Sequence, residues 1–374
     1  MEDHISKTVE NSRVIIAGGG TGGHIFPALA IAAALKKKQP RIEILFVGAR
    51  GKMEMEKIPQ AGYKIEGLDI AGFNRSSLIK NIGLPFKLLK SFLQVRSIFK
   101  SFKPRAVVGV GGYSTFPVLR YAQSKGIPSF VHESNSFAGK SNMLLGKRAT
   151  KIFAASSGMQ KFFPPERLLL TGNPVRKNIF NLSVTRSTSI KFFGLDENKK
   201  TVLAIGGSLG AKSINEAFAA HIDELAQNNL QLIWQTGKTT VAKYKSVGEG
   251  RANVWINDFI NEMQYAYAAA DIIISRSGST VYELCVVGKP VVLVPYPFAA
   301  EDHQTANAMN LVEKNAALIV KDNEVKEKLV ATVITLSKNE TLQEHLKKNI
   351  APLAITNADE VIATEILNEI TTKK

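Results

Sequence analysis

The sequence predicts an α/β protein made of two domains, each a doubly wound parallel sheet. Short apolar runs rich in Val, Ile and Phe alternate with helical patterns along the chain. One device also recurs at least three times: an apolar run, a glycine cluster, then a helical pattern. Arg13–Ala17 leads into Gly18-Gly19-Gly20-Thr21-Gly22-Gly23-His24, and Thr201–Ile205 into Gly206-Gly207-Ser208-Leu209-Gly210. Ile272–Ser275 leads into Arg276-Ser277-Gly278-Ser279-Thr280. Strand, bare-backbone turn and helix N-terminus together make an anion site, because glycine admits a phosphate and the helix dipole favours negative charge. The first two loops lie about 190 residues apart, which suggests two nucleotide-type domains facing each other across a cleft. A length of 374 residues fits two domains.

In the first half the expected strands are Arg13–Ala17, Ile42–Val47, Ala106–Val110, Ile127–Val131 and Ile152–Ala154. The second half repeats the plan with Thr201–Ile205, Leu230–Gln235, Asn253–Ile256, Ile272–Ser275, Val291–Val294 and Ala317–Val320. Pro27 suits the first turn of the helix after the first glycine loop. Gly288 closes the helix that begins near Val281, and Pro290 prevents its continuation. A Gly-Asn-Pro and a polar Ser/Thr stretch place a hinge near Gly172–Thr185. The domains are therefore expected at 1–177 and 178–356. A last amphipathic segment, Ala358–Ile370, puts Val361, Ile362, Ile366, Leu367 and Ile370 on roughly one side, so 357–374 is expected to pack back on the first domain.

The polar, acid-bearing N-terminus does not read as a signal peptide, and no stretch of about 18 apolar residues exists to span a membrane. Cys285 is the single cysteine, which excludes an intramolecular disulfide and reads as core packing. No Cys/His cluster has zinc spacing. The net charge of +16 is unevenly placed: residues 1–180 hold 28 Lys/Arg against 10 Asp/Glu, and no acid stands between Asp69 and Glu133. That window mixes Arg75, Lys80, Lys87, Lys90, Arg96 and Lys100 with Phe73, Leu78, Ile79, Ile82, Phe86, Leu89, Phe92 and Leu93. The mixture suits an anionic membrane surface, or else a buried helix with a solvated basic face. Nucleic acid ranks lower, since no nucleic-acid motif is present and Leu/Phe outnumber stacking Tyr or Trp.

A dinucleotide-binding domain fails a specific test. Its second strand should end in an acid to hold the ribose, and here Ile42–Val47 ends in Gly48-Ala49-Arg50. A P-loop fails too, because Ala211 separates Gly210 from Lys212. The chain instead resembles the MurG family of glycosyltransferases. The matching segments are Gly18–Pro27, Gly109–Pro117, His132–Gly139, Thr171–Arg176, Gly206–Ala211, Arg276–Glu283 and Asp302–Ala308, in the family's order and across most of the chain. The resemblance implies the GT-B fold, two Rossmann-like domains with the active site in the cleft. It also implies inverting transfer of N-acetylglucosamine from UDP-GlcNAc to lipid I, the lipid-linked muramyl-pentapeptide, without a cofactor or required metal.

The resemblance further implies roles for single residues. Glu283 would accept from the ribose hydroxyls, the Ile260 main chain would read the uracil edge with Phe259 beside it, and Ser208 would meet the diphosphate. Arg176 would reach the donor from the linker, and Gln304 would bond the GlcNAc hydroxyls. Thr21, Gly22, Gly23 and Asn135 would complete the donor site. The loop Arg276–Glu283 is one residue shorter than is usual in the family, so no individual contact is assigned to Ser279, Thr280, Val281 or Tyr282. The reaction needs a base near the attacking hydroxyl and stabilisation of the leaving group. No Asp-x-Asp metal pair is present, so helix N-termini, loop amides and Arg176 would carry the diphosphate charge. His24 leads as base, with Glu133 second, either as base or as the group that orients His24. The basic first domain would dock on the cytoplasmic face of the membrane as a peripheral protein, among other cell-wall synthesis proteins. Two rival readings are a GT-B enzyme such as a UDP-GlcNAc 2-epimerase, and a non-catalytic UDP-GlcNAc-binding membrane protein.

Overall fold

A computed structural model describes residues 12–72, 83–180, 184–207 and 209–372. Phe73, Arg75, Leu78, Ile79, Lys80 and Ile82 lie outside the described residues, as does Ser208. The chain divides into two compact units, with breaks between Val175 and Arg176 and between Thr356 and Asn357.

The first unit carries a seven-stranded parallel sheet. Its strands are β1 (Arg13–Ala17), β2 (Glu43–Ala49), β3 (Lys64–Leu68), β4 (Ala106–Gly109), β5 (Ser129–Glu133), β6 (Lys151–Ala154) and β7 (Leu168–Leu170). They lie in the order β3-β2-β1-β4-β5-β6-β7. The alternation of the strands decides the layering. Val14 and Ile16 of β1 face one side and pack with the helices Gly22–Lys38 and Ala358–Thr372. Ile15 and Ala17 face the other and pack with Val95 and Phe99 of Leu84–Phe102 and with Val118 and Leu119 of Thr115–Ser124. The C-terminal helix is thus a core element of this unit: Ile362, Ala363 and Ile366 are fully buried. Each isoleucine contributes about 2 kcal/mol of apolar burial, as an upper estimate.

The second unit repeats the plan with six parallel strands: β8 (Lys200–Ile205), β9 (Leu230–Gln235), β10 (Val254–Asn257), β11 (Ile272–Ser275), β12 (Val291–Leu293) and β13 (Leu318–Ile319). Their order is β10-β9-β8-β11-β12-β13. Val202, Ala204 and Trp234 meet the helices Lys212–Ala220 and Val325–Lys338 on one face.

Both sheets reverse direction of growth beside their first strand, at β1/β4 and at β8/β11. Loops leaving the carboxyl ends of those strands form the crevice in which doubly wound sheets hold ligands. The glycine loops expected from the sequence leave β1, β8 and β11, so all three lie at a switch point. Every expected strand is present, with ends shifted by up to two residues. Two strands were not expected, β3 and β7, and both are sheet edges. Pro27 also differs from expectation. The helix starts at Gly22, so Pro27 lies inside it, one turn deeper than foreseen. Lacking an N–H, it leaves the Gly23 carbonyl without its helical partner. Gly288 does end the helix Thr280–Val287, at φ 66°, donating its N–H to the Leu284 carbonyl.

Candidate active site

In the first unit the glycine loop is less bare than its composition suggests. Gly18 N–H goes to the Val47 carbonyl at 3.1 Å and Gly19 N–H to the Gly111 carbonyl at 3.0 Å. Gly20 N–H goes to Glu54 Oε2 at 2.7 Å. The amides left open are those of Thr21, Gly22 and Gly23, which start the helix and have no acceptor among the described residues. They are the anion-facing groups of this loop. The loop rests directly on the one that follows β4: a Cβ at Gly112 would lie 2.5 Å from the Gly19 carbonyl oxygen. Ser114 and Thr115 complete the junction by donating their hydroxyls to the Val47 and Ala17 carbonyls.

His24 sits in the first turn of the helix and gives Nδ1 to the Gly19 carbonyl at 2.9 Å. A carbonyl only accepts, so Nδ1 carries a proton, and in the neutral ring the lone pair is on Nε2. The group that orients His24 is therefore the Gly19 carbonyl and not Glu133. The Glu133 carboxylate is 2% exposed and occupied on both oxygens. Oε1 accepts from the Asn135 N–H at 3.0 Å and Asn135 Nδ2 at 3.1 Å. Oε2 accepts from the Gly139 N–H at 3.0 Å and Asn142 Nδ2 at 2.8 Å. Glu133 and Asn135 thus meet each other, and the carboxylate shapes the loop after β5. Next to it, His132 is buried, and burial first and His24 second push its imidazole down to about 3, with the Gly172 backbone working the other way. It stays neutral at physiological pH.

In the second unit the structure brings Arg176 and Glu283 together. Arg176 Nε and Nη2 grip Glu283 Oε1 and Oε2 at 3.0 and 2.9 Å. Glu283 lies in the first turn of Thr280–Val287 and is 9% exposed. Burial works against the Arg176 charge, and Glu283, helped by Tyr267, holds the guanidinium above its ordinary value all the same. The Tyr267 hydroxyl donates to Glu283 Oε2 at 3.1 Å. Burial, reinforced by Glu283, raises that phenol well above its usual range, so it remains a donor. Tyr267 was not foreseen, since one tyrosine in an alanine-rich helical stretch reads as core.

Gln235 was missed as well. Its Nε2 donates to the Gly207 carbonyl at 3.0 Å and its Oε1 accepts the Ile260 N–H at 3.0 Å. The Ile260 N–H is thereby taken. Its carbonyl accepts from no described residue and is the main-chain group open to a ligand. A polar residue closing the apolar strand Leu230–Gln235 is the signal that marks Gln235. Gln304 accepts the Tyr296 N–H on Oε1 at 3.0 Å, which leaves its amide nitrogen as the donor, beside Gly278, where a Cβ would lie 4.0 Å from it. It follows Glu301 and Asp302, two non-glycine residues at φ 50° and 51°. That is left-handed backbone of a kind concentrated at functional sites. Arg276 ties the surrounding loops together through the Val294 and Pro295 carbonyls, Ser213 and Asp322.

Residues 14–154 match the glycosyltransferase family 28 N-terminal domain and residues 201–365 match the family 28 C-terminal domain. The chain is 50% identical over 368 residues to the UDP-N-acetylglucosamine--N-acetylmuramyl-(pentapeptide) pyrophosphoryl-undecaprenol N-acetylglucosamine transferase of Phocaeicola vulgatus, covering 96% of each. The crystal structure of Acinetobacter baumannii MurG superimposes with a TM-score of 0.73 at 29% identity, covering 96% of this chain and 99% of that one. The UDP-GlcNAc 2-epimerase of Neisseria meningitidis shares only the fold, with a TM-score of 0.65 at 16% identity over 95% of this chain and all of its own. Its two domains matched in order, and half its residues shared with such a relative, the chain belongs to glycosyltransferase family 28, in the MurG branch.

Proposed function

We propose that this chain transfers N-acetylglucosamine from UDP-GlcNAc to undecaprenyl-pyrophosphoryl-MurNAc-pentapeptide, lipid I, forming lipid II in peptidoglycan synthesis. One observation carries the reading: the 50% identity, across 96% of both chains, to an enzyme named for that reaction. Transfer proceeds with inversion and without a metal. The muramyl hydroxyl gives its proton to His24 Nε2 as its oxygen attacks the anomeric carbon, and the bond to the diphosphate breaks with its electrons going to UDP. Glu133, whose oxygens are both occupied, holds the loop of Asn135.

The second unit takes the UDP. Ribose hydroxyls donate to Glu283, the Ile260 carbonyl accepts from the uracil, and Gly206, Gly207 and Ser208 receive the diphosphate. Arg176 trades part of its hold on Glu283 for the donor's charge, and Gln304 meets the sugar. In the first unit Thr21, Gly22 and Gly23 offer amides to substrate. The test is UDP release from UDP-GlcNAc in EDTA, with and without a short-chain lipid I analogue. Release only with acceptor, undiminished by EDTA, supports the reading. Release without acceptor favours an epimerase-like enzyme, and donor binding without release favours a sensor.

The helix Leu84–Phe102 seats the protein on an anionic membrane as a peripheral protein of its cytoplasmic face. It buries Ser91, Val95 and Phe99 and leaves Phe86, Leu89 and Leu93 exposed at 76%, 63% and 60%. Lys87, Lys90, Arg96 and Lys100 are exposed beside them. Both kinds of side chain thus share the uncovered side, which suits a lipid surface better than a merely solvated basic face. No described helix is long and apolar enough to cross a membrane. Replacing Phe86, Leu89 and Leu93 by Ser weakens binding to anionic vesicles by about 10-fold or more. Reversing Lys87, Lys90 and Arg96 removes about 1 kcal/mol for each positive charge lost and adds repulsion for each negative charge gained. At Lys90 it also breaks the 2.9 Å pair with Asp69. Cosedimentation unchanged in both variants would discard this seating.

A further inference from the structure

We propose that Glu54 is a positioning residue for His24, acting through the single peptide that joins Gly19 to Gly20. The inference rests on the reading of His24 as the base and deepens it. Glu54 begins the short helix Glu54–Gln60, and only 1% of it is exposed. Its Oε2 accepts the Gly20 N–H at 2.7 Å and its Oε1 accepts the Ala49 N–H at 3.0 Å. The other side of that same Gly19–Gly20 peptide, the Gly19 carbonyl, accepts His24 Nδ1 at 2.9 Å. One rigid plane thus has a carboxylate on its N–H and an imidazole on its C=O.

An anionic acceptor polarises the amide it binds, and the carbonyl oxygen becomes a stronger acceptor in turn. Glu54 therefore fixes the orientation and tautomer of His24, with the proton on Nδ1 and the lone pair on Nε2. When Nε2 takes the proton of the acceptor hydroxyl, the imidazolium is stabilised through the same peptide. Glu54 gains no proton in the step. A carboxylate does this work by direct contact in serine-protease triads; here one peptide intervenes.

The seat of the carboxylate is closely fitted. A Cβ at Gly19 would lie 2.3 Å from Glu54 Cδ, and one at Gly48 would lie 2.5 Å from Glu54 Cγ. The far edge of the imidazole is fitted too, since a Cβ at Gly111 would lie 2.7 Å from His24 Nε2. No local pattern reveals this link, because Glu54 stands 34 residues from Gly20.

The test reads the ring nitrogens of His24 by 15N NMR, together with steady-state kinetics, in the full chain and in Glu54→Gln. The parent is expected to show one tautomer, protonated at Nδ1. Glu54→Gln is expected to average the two ring nitrogens and to lower kcat by about 10-fold or more. KM for UDP-GlcNAc should stay within about twofold, the split expected when an interaction specific to the transition state is lost. An unchanged ring spectrum in Glu54→Gln overturns the proposal. If that variant does not fold, glycine-selective 15N labelling of the parent decides: the Gly20 amide resonance should move on His24→Asn, and an unmoved resonance overturns the link. A changed ring spectrum with unchanged kcat supports the link and rejects His24 as the base, which separates the two failures.

Discussion

Glu133 and Glu283 are both buried carboxylates set at the carboxyl end of a parallel sheet, yet they are satisfied in opposite ways. Glu133 is held by neutral donors no more than nine residues away, from the loop and helix that follow its own strand. Glu283 is held by a cation 107 residues away and by the Tyr267 phenol. A carboxylate bound by its own loop defines that loop's shape. A carboxylate bound by a remote arginine joins two segments and can exchange that partner for a ligand's hydroxyls. The first arrangement suits a fixed scaffold and the second a site that changes hands.

The largest contrast should appear on truncation. Glu283→Ala takes the paired carboxylate from the partly buried guanidinium of Arg176, whose side chain is 20% exposed, and is expected to cost about 3 kcal/mol. Glu133→Ala leaves only neutral donors unpaired and is expected to cost about 2 kcal/mol. Urea unfolding measures both. Removing Arg176 together with Glu283 should cost less than removing Glu283 alone. Equal costs for the two single variants, or a double variant worse than Glu283→Ala, would break the distinction.

Acid separates the two regions next. His132, beside Glu133, titrates at about 3 when folded, against 6.5 unperturbed. Above pH 6.5 it is neutral in both states and contributes nothing to the pH dependence. Below that, the unfolded chain takes a proton that the folded chain refuses, so stability falls as pH drops. The slope is about 1.4 kcal/mol per pH unit, or about 2.7 kcal/mol by pH 4.5. Unfolding followed from pH 7 to 4.5 should show this loss in the parent and a flatter slope in His132→Leu. Parallel slopes would remove His132 from the account.

The smallest effect concerns Tyr267. Tyr267→Phe keeps the Arg176 grip and loses one hydrogen bond to Glu283, for about 1 kcal/mol of stability. KM for UDP-GlcNAc should rise a few-fold with kcat little changed. A loss as large as that of Glu283→Ala would make the phenol, and not the arginine, the principal partner.

What the sequence conceals follows the same division between local and remote. Strands such as Thr201–Ile205 and Ile272–Ser275 are buried on both faces, so their apolar runs are legible. β3 reads Lys-Ile-Glu-Gly-Leu and β7 only Leu-Leu-Leu; each has one paired neighbour and an exposed flank, so neither carries a continuous core signal. At the site, glycine loops and the residues beside them can be read from short motifs. Glu54 and Tyr267 cannot, because their partners are brought to them by sheet order and not by spacing, and Gln235 shows only as the polar end of an apolar strand. Gly18–Gly20 show the limit of composition: three glycines promise open amides, and the fold spends all three on Val47, Gly111 and Glu54.

The paired left-handed residues Glu301 and Asp302 have a consequence for laboratory evolution. Each holds a backbone conformation that costs a side-chain-bearing residue about 1 kcal/mol relative to glycine. A selection for thermostability alone should therefore find Glu301→Gly ahead of Asp302→Gly, since the second also gives up the hydrogen bond that Asp302 Oδ1 accepts from the Thr305 hydroxyl at 2.7 Å. Both changes loosen the hinge of chain that presents Gln304, so heat resistance and turnover should move in opposite directions at these two positions.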